Sequence, residues 1–235
     1  MLVSTTQTRQ SLSRIVTPES TKTHFPLSHS RCVDLIASGI EKTGWQIKDE
    51  KIETTKGGAR MFGYFAIGGM KDLDYDFTIG FRNSHDKRFS FGLALGQRVM
   101  VCSNESFFGD FMLKRCHTRF AGRDLPNLID QGIDNMRKPM VQLYGWINDL
   151  KQSELVDCQV HDCLIRSMRA GVISGQQIPK VLQQWETPNH PEFKPRTRWS
   201  LHNAFTEVLK ENSPRVRQDR GWMLNKLFNA PVSVN

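Results

Sequence analysis

The chain has 235 residues, 38% of them hydrophobic and 24% charged, with a formal net charge of +8 at neutral pH. This describes a folded domain rather than a disordered tail, long enough to bury one core or one core with a small second lobe. No apolar run approaches the roughly 20 residues that span a bilayer, and Met1–Gln10 lacks an apolar signal core, so membrane insertion and secretion are not expected.

Five cysteines, an odd number spread singly except for Cys158 and Cys163, read as reduced thiols in a cytoplasmic protein. The positive excess bears on partners rather than on fold. It favours polyanions, nucleic acid above all, although many proteins carry such charge for solubility alone.

Residues 1–27 are rich in Ser and Thr and carry Pro18 and Pro26, so they read as an extended arm. Ser28 or Ser30 then caps a helix with an apolar face of Val33, Ile36 and Ile40, ending at Gly44. From Trp45 the period changes to two. One strand begins at Trp45, Lys56-Gly57-Gly58 makes a turn, and Met61–Ile67 is the next strand. Tyr75, Phe77, Ile79 and Phe81 alternate with Asp76, Thr78 and Gly80. After a turn over Asn83–Lys87, Phe89, Phe91, Leu93 and Leu95 alternate with Ser90, Gly92 and Ala94. Such strands predict an antiparallel meander with one packed face and one open face lined by small residues. Gly96 breaks the pattern before a short strand at Arg98–Cys102, and Phe111–Arg119 is a further strand.

The second half reads as helical. Leu125, Ile129, Ile133, Met136, Met140, Leu143, Ile147 and Leu150 form one seam along a helix of residues 123–152, kinked or broken at Pro139. Its expected role is to cover the sheet, with packing along a second copy as the alternative. Shorter helices are expected near 155–170, 175–186, 199–211 and 221–229. The fold class is therefore α+β: a curved antiparallel sheet covered by a long helix, with a helical C-terminal part. The domain reading is an arm at 1–27, a core at 28–153 and a helical region at 154–235 packed on it.

Polar and cationic residues cluster at the strand ends. Asn83-Ser84-His85-Asp86 suits a turn, because short polar side chains bond neighbouring backbone groups. Histidine there adds a group that titrates near neutrality, so His85 and Asp86, with His117, are candidates for acid–base work on a phosphodiester. Along Lys114-Arg115-Cys116-His117-Thr118-Arg119, a strand would place Arg115, His117 and Arg119 on one face at steps of about 6.5–7 Å, a track for phosphates to which Arg98 and Lys87-Arg88 can add. Cys158, His161 and Cys163 look like half a zinc site, but no second ligand pair follows, and packing is the expected role. Trp199 and Trp222 are expected to anchor helices, leaving the neighbouring arginines as phosphate contacts.

The order of these motifs resembles a phage- and plasmid-associated family catalogued as domain of unknown function nine-three-two. The residues that carry the resemblance are Gly80-Phe81-Arg82-Asn83-Ser84-His85-Asp86-Lys87, Gly96, Val101-Cys102-Ser103-Asn104, Phe108-Gly109-Asp110, His117-Thr118-Arg119, Thr197, Trp199 and Asn203–Val208. It covers residues 28–229. Ser103 stands where the family usually has Asp, and Cys116 where it usually has Lys. The resemblance implies a mobile-element context and no transferable activity. A helix followed by a strand meander and a covering helix is also similar, in topology alone, to phage single-strand annealing proteins.

The leading expectation is nucleic-acid binding, with single-stranded DNA as partner, in replication or recombination of a mobile element. Arg98, Lys114, Arg115, His117 and Arg119 would contact phosphates, and Asn83, His85 and Asn104 would order strand ends or touch sugars and bases. The alternatives are a small nuclease using His85 and His117, with or without a divalent metal, and an interaction module that inhibits a host defence complex. No other cofactor and no metal site is expected. A homo-oligomer and a host protein target are left open.

Overall fold

The computed structural model describes residues 4–68, 75–99 and 105–229. An antiparallel meander of β1 (Thr5–Gln7), β2 (Gln46–Thr55), β3 (Arg60–Gly68), β4 (Tyr75–Ser84), β5 (Phe91–Val99) and β6 (Glu105–Arg115) forms one sheet in sequence order. The helices are α1 (Arg9–Leu12), α2 (His29–Lys42), α3 (Ala121–Asp134), α4 (Arg137–Gln152), α5 (Asp157–Arg169), α6 (Ile178–Glu186), α7 (Arg198–Leu209) and α8 (Pro214–Leu227). The α+β class is as expected. No helix among the described residues is long and apolar enough to cross a membrane.

The chain divides into two compact units, residues 1–96 with 111–138, and residues 97–110 with 139–235. The boundary thus falls at the start of α4 rather than after residue 153. In the first unit, the expected arm is partly built into the sheet: Thr5–Gln7 pairs with Gln7 opposite Ile52, and Leu12 of α1 is fully buried. A Ser/Thr-rich stretch can still supply an edge strand, because the ladder is made by backbone groups.

Ser28 caps α2 through the Arg31 amide, and Gly44, at φ +81°, follows its end. Cys32, Val33, Ile36 and Ile40 are buried. The helix lies close against α3 at Gly39, where a Cβ would stand 2.8 Å from Ile133 Cδ1. On its other side α3 meets the sheet at Gly132, beside Leu93 and Leu113. Pro126 lies inside α3 and has no N–H for the Gly122 carbonyl; the Arg31 guanidinium donates to that carbonyl instead, at 3.1 Å.

Three strand readings change. The small-residue face of β4 is not open: Thr78 is 1% exposed, and Phe62 and Tyr64 of β3, on the same face, are 3% and 4% exposed. Alternation within one strand cannot reveal that the neighbouring strand carries aromatics on that face. Gly96 does not break the chain either, since β5 continues to Val99; the rest of the strand expected over Arg98–Cys102 lies outside the described residues. Finally, β6 ends at Arg115, so residues 116–119 are not strand.

The long seam is buried from Leu125 to Leu150, but it belongs to two helices. The break is at Asn135 and Met136. Pro139 sits in the first turn of α4, where a missing N–H leaves no helical bond unmade.

In the second unit α7 is buried on all sides, including Trp199, His202 and Phe205. His202 stacks on Trp199, meets the Trp146 and Phe228 rings edge-on, and bonds Asn225 Oδ1 through Nε2 at 2.7 Å. Burial lowers the His202 pKa to about 4, so the ring is neutral at pH 7. The α8 helix begins at Pro214, seven residues before the expected start, with proline at its first position.

Candidate nucleic-acid interface

The Asn83–Asp86 segment closes β4 and begins the turn to β5, and each of its side chains has a partner in the first unit. Asn83, fully buried, donates from Nδ2 to the Leu27 carbonyl at 2.7 Å and to His29 Nδ1 at 2.9 Å. Ser84 Oγ accepts the Phe89 N–H and donates to the Phe89 carbonyl, closing the turn. His85 donates from Nε2 to the same Leu27 carbonyl at 3.0 Å. Asp86 turns away to an ion pair with Arg60 and accepts the Arg88 N–H. Burial opposes ionisation of Asp86, but Arg60 outweighs it through hydrogen bond and charge, and the carboxyl pKa is lowered.

The segment that enters α2 is therefore clasped to the end of β4. His29 completes the clasp by donating from Nε2 to the Gly58 carbonyl at 2.9 Å in the β2–β3 turn. These bonds assign its tautomer, with the proton on Nε2 and an acceptor at Nδ1. Its ring stacks on His85 with centroids 3.8 Å apart and planes 4° apart. Beside this pair, His24 and His117 stack at 5.1 Å, and the Phe25 N–H donates to the His117 carbonyl.

Two imidazoles in face contact cannot both be protonated cheaply. Burial first, then the charge of His85, lowers the His29 pKa to about 3. Burial, then His24 and His85, lowers His117 to about 4, and burial lowers His85 as well. His117 is 6% exposed, and neither of its ring nitrogens has a hydrogen-bond partner. His85 and His117 are thus neutral, enclosed groups at pH 7. Among the described residues, no group of three or more His, Cys, Asp or Glu side chains is placed to hold a metal ion.

The structure brings Asn83, His85 and His117 together and sends Asp86 elsewhere. His24 and His29 complete the cluster and were not singled out in the sequence; the one local signal was two histidines flanking Pro26, just before a helix cap. Arg115, His117 and Arg119 do not form a continuous track. Arg115 pairs with Asp124 at 2.7 Å, His117 turns inward after the strand ends, and Arg119 is exposed. Arg98 is on the part of β5 that belongs to the second unit, and Asn104 lies outside the described residues.

The surface of the first unit also carries cations close in sequence to an exposed aromatic. Lys114, Arg119 and Arg123 are exposed, and Phe120, directly before α3, is 53% exposed. The Arg123 guanidinium lies 4.8 Å from the Phe120 ring centroid and bonds Asp124 Oδ1 through Nε. Phe120 falls between the expected strand and helix, and Arg123 reads as the first residue of the helix covering the sheet, so neither carries a signal for a surface site.

The C-terminal basic run is largely engaged within the second unit. Arg196 pairs with Asp157 and stacks on Trp185, Arg215 pairs with Asp219, and Arg220 donates to Gln177. Comparison of the chain with protein-family models, curated proteins and solved structures finds no match.

Proposed function

We propose that the protein binds nucleic acid, single-stranded DNA being the expected form, through a face made by Arg119, Phe120 and Arg123, with exposed Lys114 near the end of β6 as a further cation. The observation that carries this reading is the half-exposed Phe120 ring held under a guanidinium and flanked by cations. An aromatic platform for a base beside charges for the backbone is the combination that single strands need. The net charge of +8 supports the same reading. The histidine cluster serves this face indirectly, by holding the chain that leads into α2. A role in replication or recombination of a phage- or plasmid-like element is proposed from the resemblance carried by Gly80–Lys87 and His117–Arg119.

Fluorescence anisotropy with labelled single- and double-stranded DNA and RNA, titrated with salt, tests the proposal. Three phosphate contacts predict a slope of log K against log salt of about −2 for a single strand. Phe120→Ala should lose about 1–3 kcal/mol of affinity. R119E/R123E should abolish binding with the circular dichroism spectrum intact. Undiminished affinity in these variants rejects the face, and absence of binding at low salt rejects the function in favour of a protein partner.

A further inference from the structure

The second unit holds a cavity of about 450 Å³ between one side of α5, the start of α7 and the end of α8. That volume is within the range of small-molecule sites. Its accessible apolar wall is made by Leu155 and Leu227, both half-buried. Its polar side comes from Cys158, Asp162 and Arg166, which recur every four residues and so share one side of α5. Arg198, the first residue of α7, completes the lining.

Arg198 is held in place, with one nitrogen on the Phe228 carbonyl at 3.3 Å and its guanidinium 5.7 Å from the Phe228 ring centroid. A guanidinium has five N–H donors, so this anchoring leaves most of them for another acceptor. Arg166 is 63% exposed and only loosely paired, at 3.6 Å, with Asp162. Two guanidiniums against one carboxylate leave the lining with a positive excess beside an apolar wall.

We infer that this cavity binds a small organic anion, its carboxylate or phosphate between Arg166 and Arg198 and its apolar body against Leu155 and Leu227. The site is independent of the nucleic-acid face, which belongs to the other unit.

Two exposed thiols among the described residues make a site-specific test. Cys158 lines the cavity, whereas Cys116 belongs to the first unit and serves as internal reference. The reduced full-length protein is alkylated with N-ethylmaleimide, and both rates are followed by mass spectrometry with millimolar octanoate, thymidine monophosphate, inorganic phosphate or octanol. The expected result is that an organic anion slows Cys158 severalfold while Cys116 is unchanged, and that octanol and phosphate protect far less. Protection by octanoate alone identifies an acyl carboxylate, and protection by thymidine monophosphate alone a nucleotide. Arg166→Gln, at an exposed position, should raise the half-protecting concentration about tenfold, protection being taken relative to the variant's own unliganded Cys158 rate. If neither organic anion slows Cys158 relative to Cys116, or if Arg166→Gln protects as well as the native chain, the inference is overturned.

Discussion

Lowering the pH from about 7.5 to about 5 should destabilise the first unit steeply, because His29 and His117 are held neutral in the fold. An unfolded histidine titrates near 6.5, whereas these two titrate at about 3 and about 4. Between those values the unfolded chain binds protons that the native chain does not. The contribution is therefore complete above about pH 6.5 and is lost as the pH falls toward the native values. At pH 5 the unfolded ring has gained about 1.5 pH units of proton binding, or about 2 kcal/mol per histidine, and about 4 kcal/mol for the two. That is a large share of the roughly 5–15 kcal/mol that holds a domain folded.

The assay is urea unfolding by circular dichroism across this range, and the informative variant is His117→Phe. Since neither His117 ring nitrogen has a hydrogen-bond partner, the substitution removes a titrating group without removing a hydrogen bond. The variant should lie within about 1 kcal/mol of the native chain at pH 7.5. At pH 5 it should be the more stable by about 2 kcal/mol. An equal loss of stability on acidification in both proteins would refute the reasoning.

Three further outcomes can be measured in the same way. Asn83→Ala removes two buried hydrogen bonds and leaves the His29 Nδ1 acceptor without its donor; it should cost about 2–4 kcal/mol, and a loss below about 0.5 kcal/mol would show that the clasp is not needed. Arg31→Ala should cost about 1 kcal/mol in the native chain but almost nothing in a Pro126→Ala background, where residue 126 regains an N–H for the Gly122 carbonyl; additive effects in this double-mutant cycle would reject the compensation. Gly63→Ala would place a Cβ 2.5 Å from the Lys51 carbonyl oxygen and 2.6 Å from the Phe81 ring, so a loss of about 1–3 kcal/mol or more is expected by thermal unfolding, and an unchanged midpoint would contradict the register of β2, β3 and β4.

Much of the fold was legible because its signals are local. The two-residue period from Trp45 to Leu95, the glycines of the β2–β3 turn, the Ser28 cap and the apolar seam from Leu125 to Leu150 each act on neighbouring residues. They predicted the meander, its turns and the buried helical face. Where the seam divides was not legible, since Met136 continues the apolar spacing across the break. Proline at 139 pointed to the wrong place because a first-turn position suits it as well as a kink does.

The candidate site was half legible for a related reason. Asn83, His85 and His117 were readable as unusual residues at strand ends, but their roles depend on partners that sequence spacing does not reveal. The Leu27 carbonyl and the His85 ring are 58 residues apart, and Asn83 and His29 are 54 apart. Only closure of the meander onto α2 makes them neighbours, turning an apparent acid–base pair into an enclosed, neutral clasp. The same closure pairs Arg115 with Asp124 and leaves Arg119, Phe120 and Arg123 outside. By itself the sequence determined the fold class, the central strands, the buried helical seam and the positive charge, because periodicity, capping and composition act over a few residues. Tertiary structure alone decided which polar groups are buried and paired and which remain at the surface, because desolvation and hydrogen bonding depend on what the rest of the chain brings alongside.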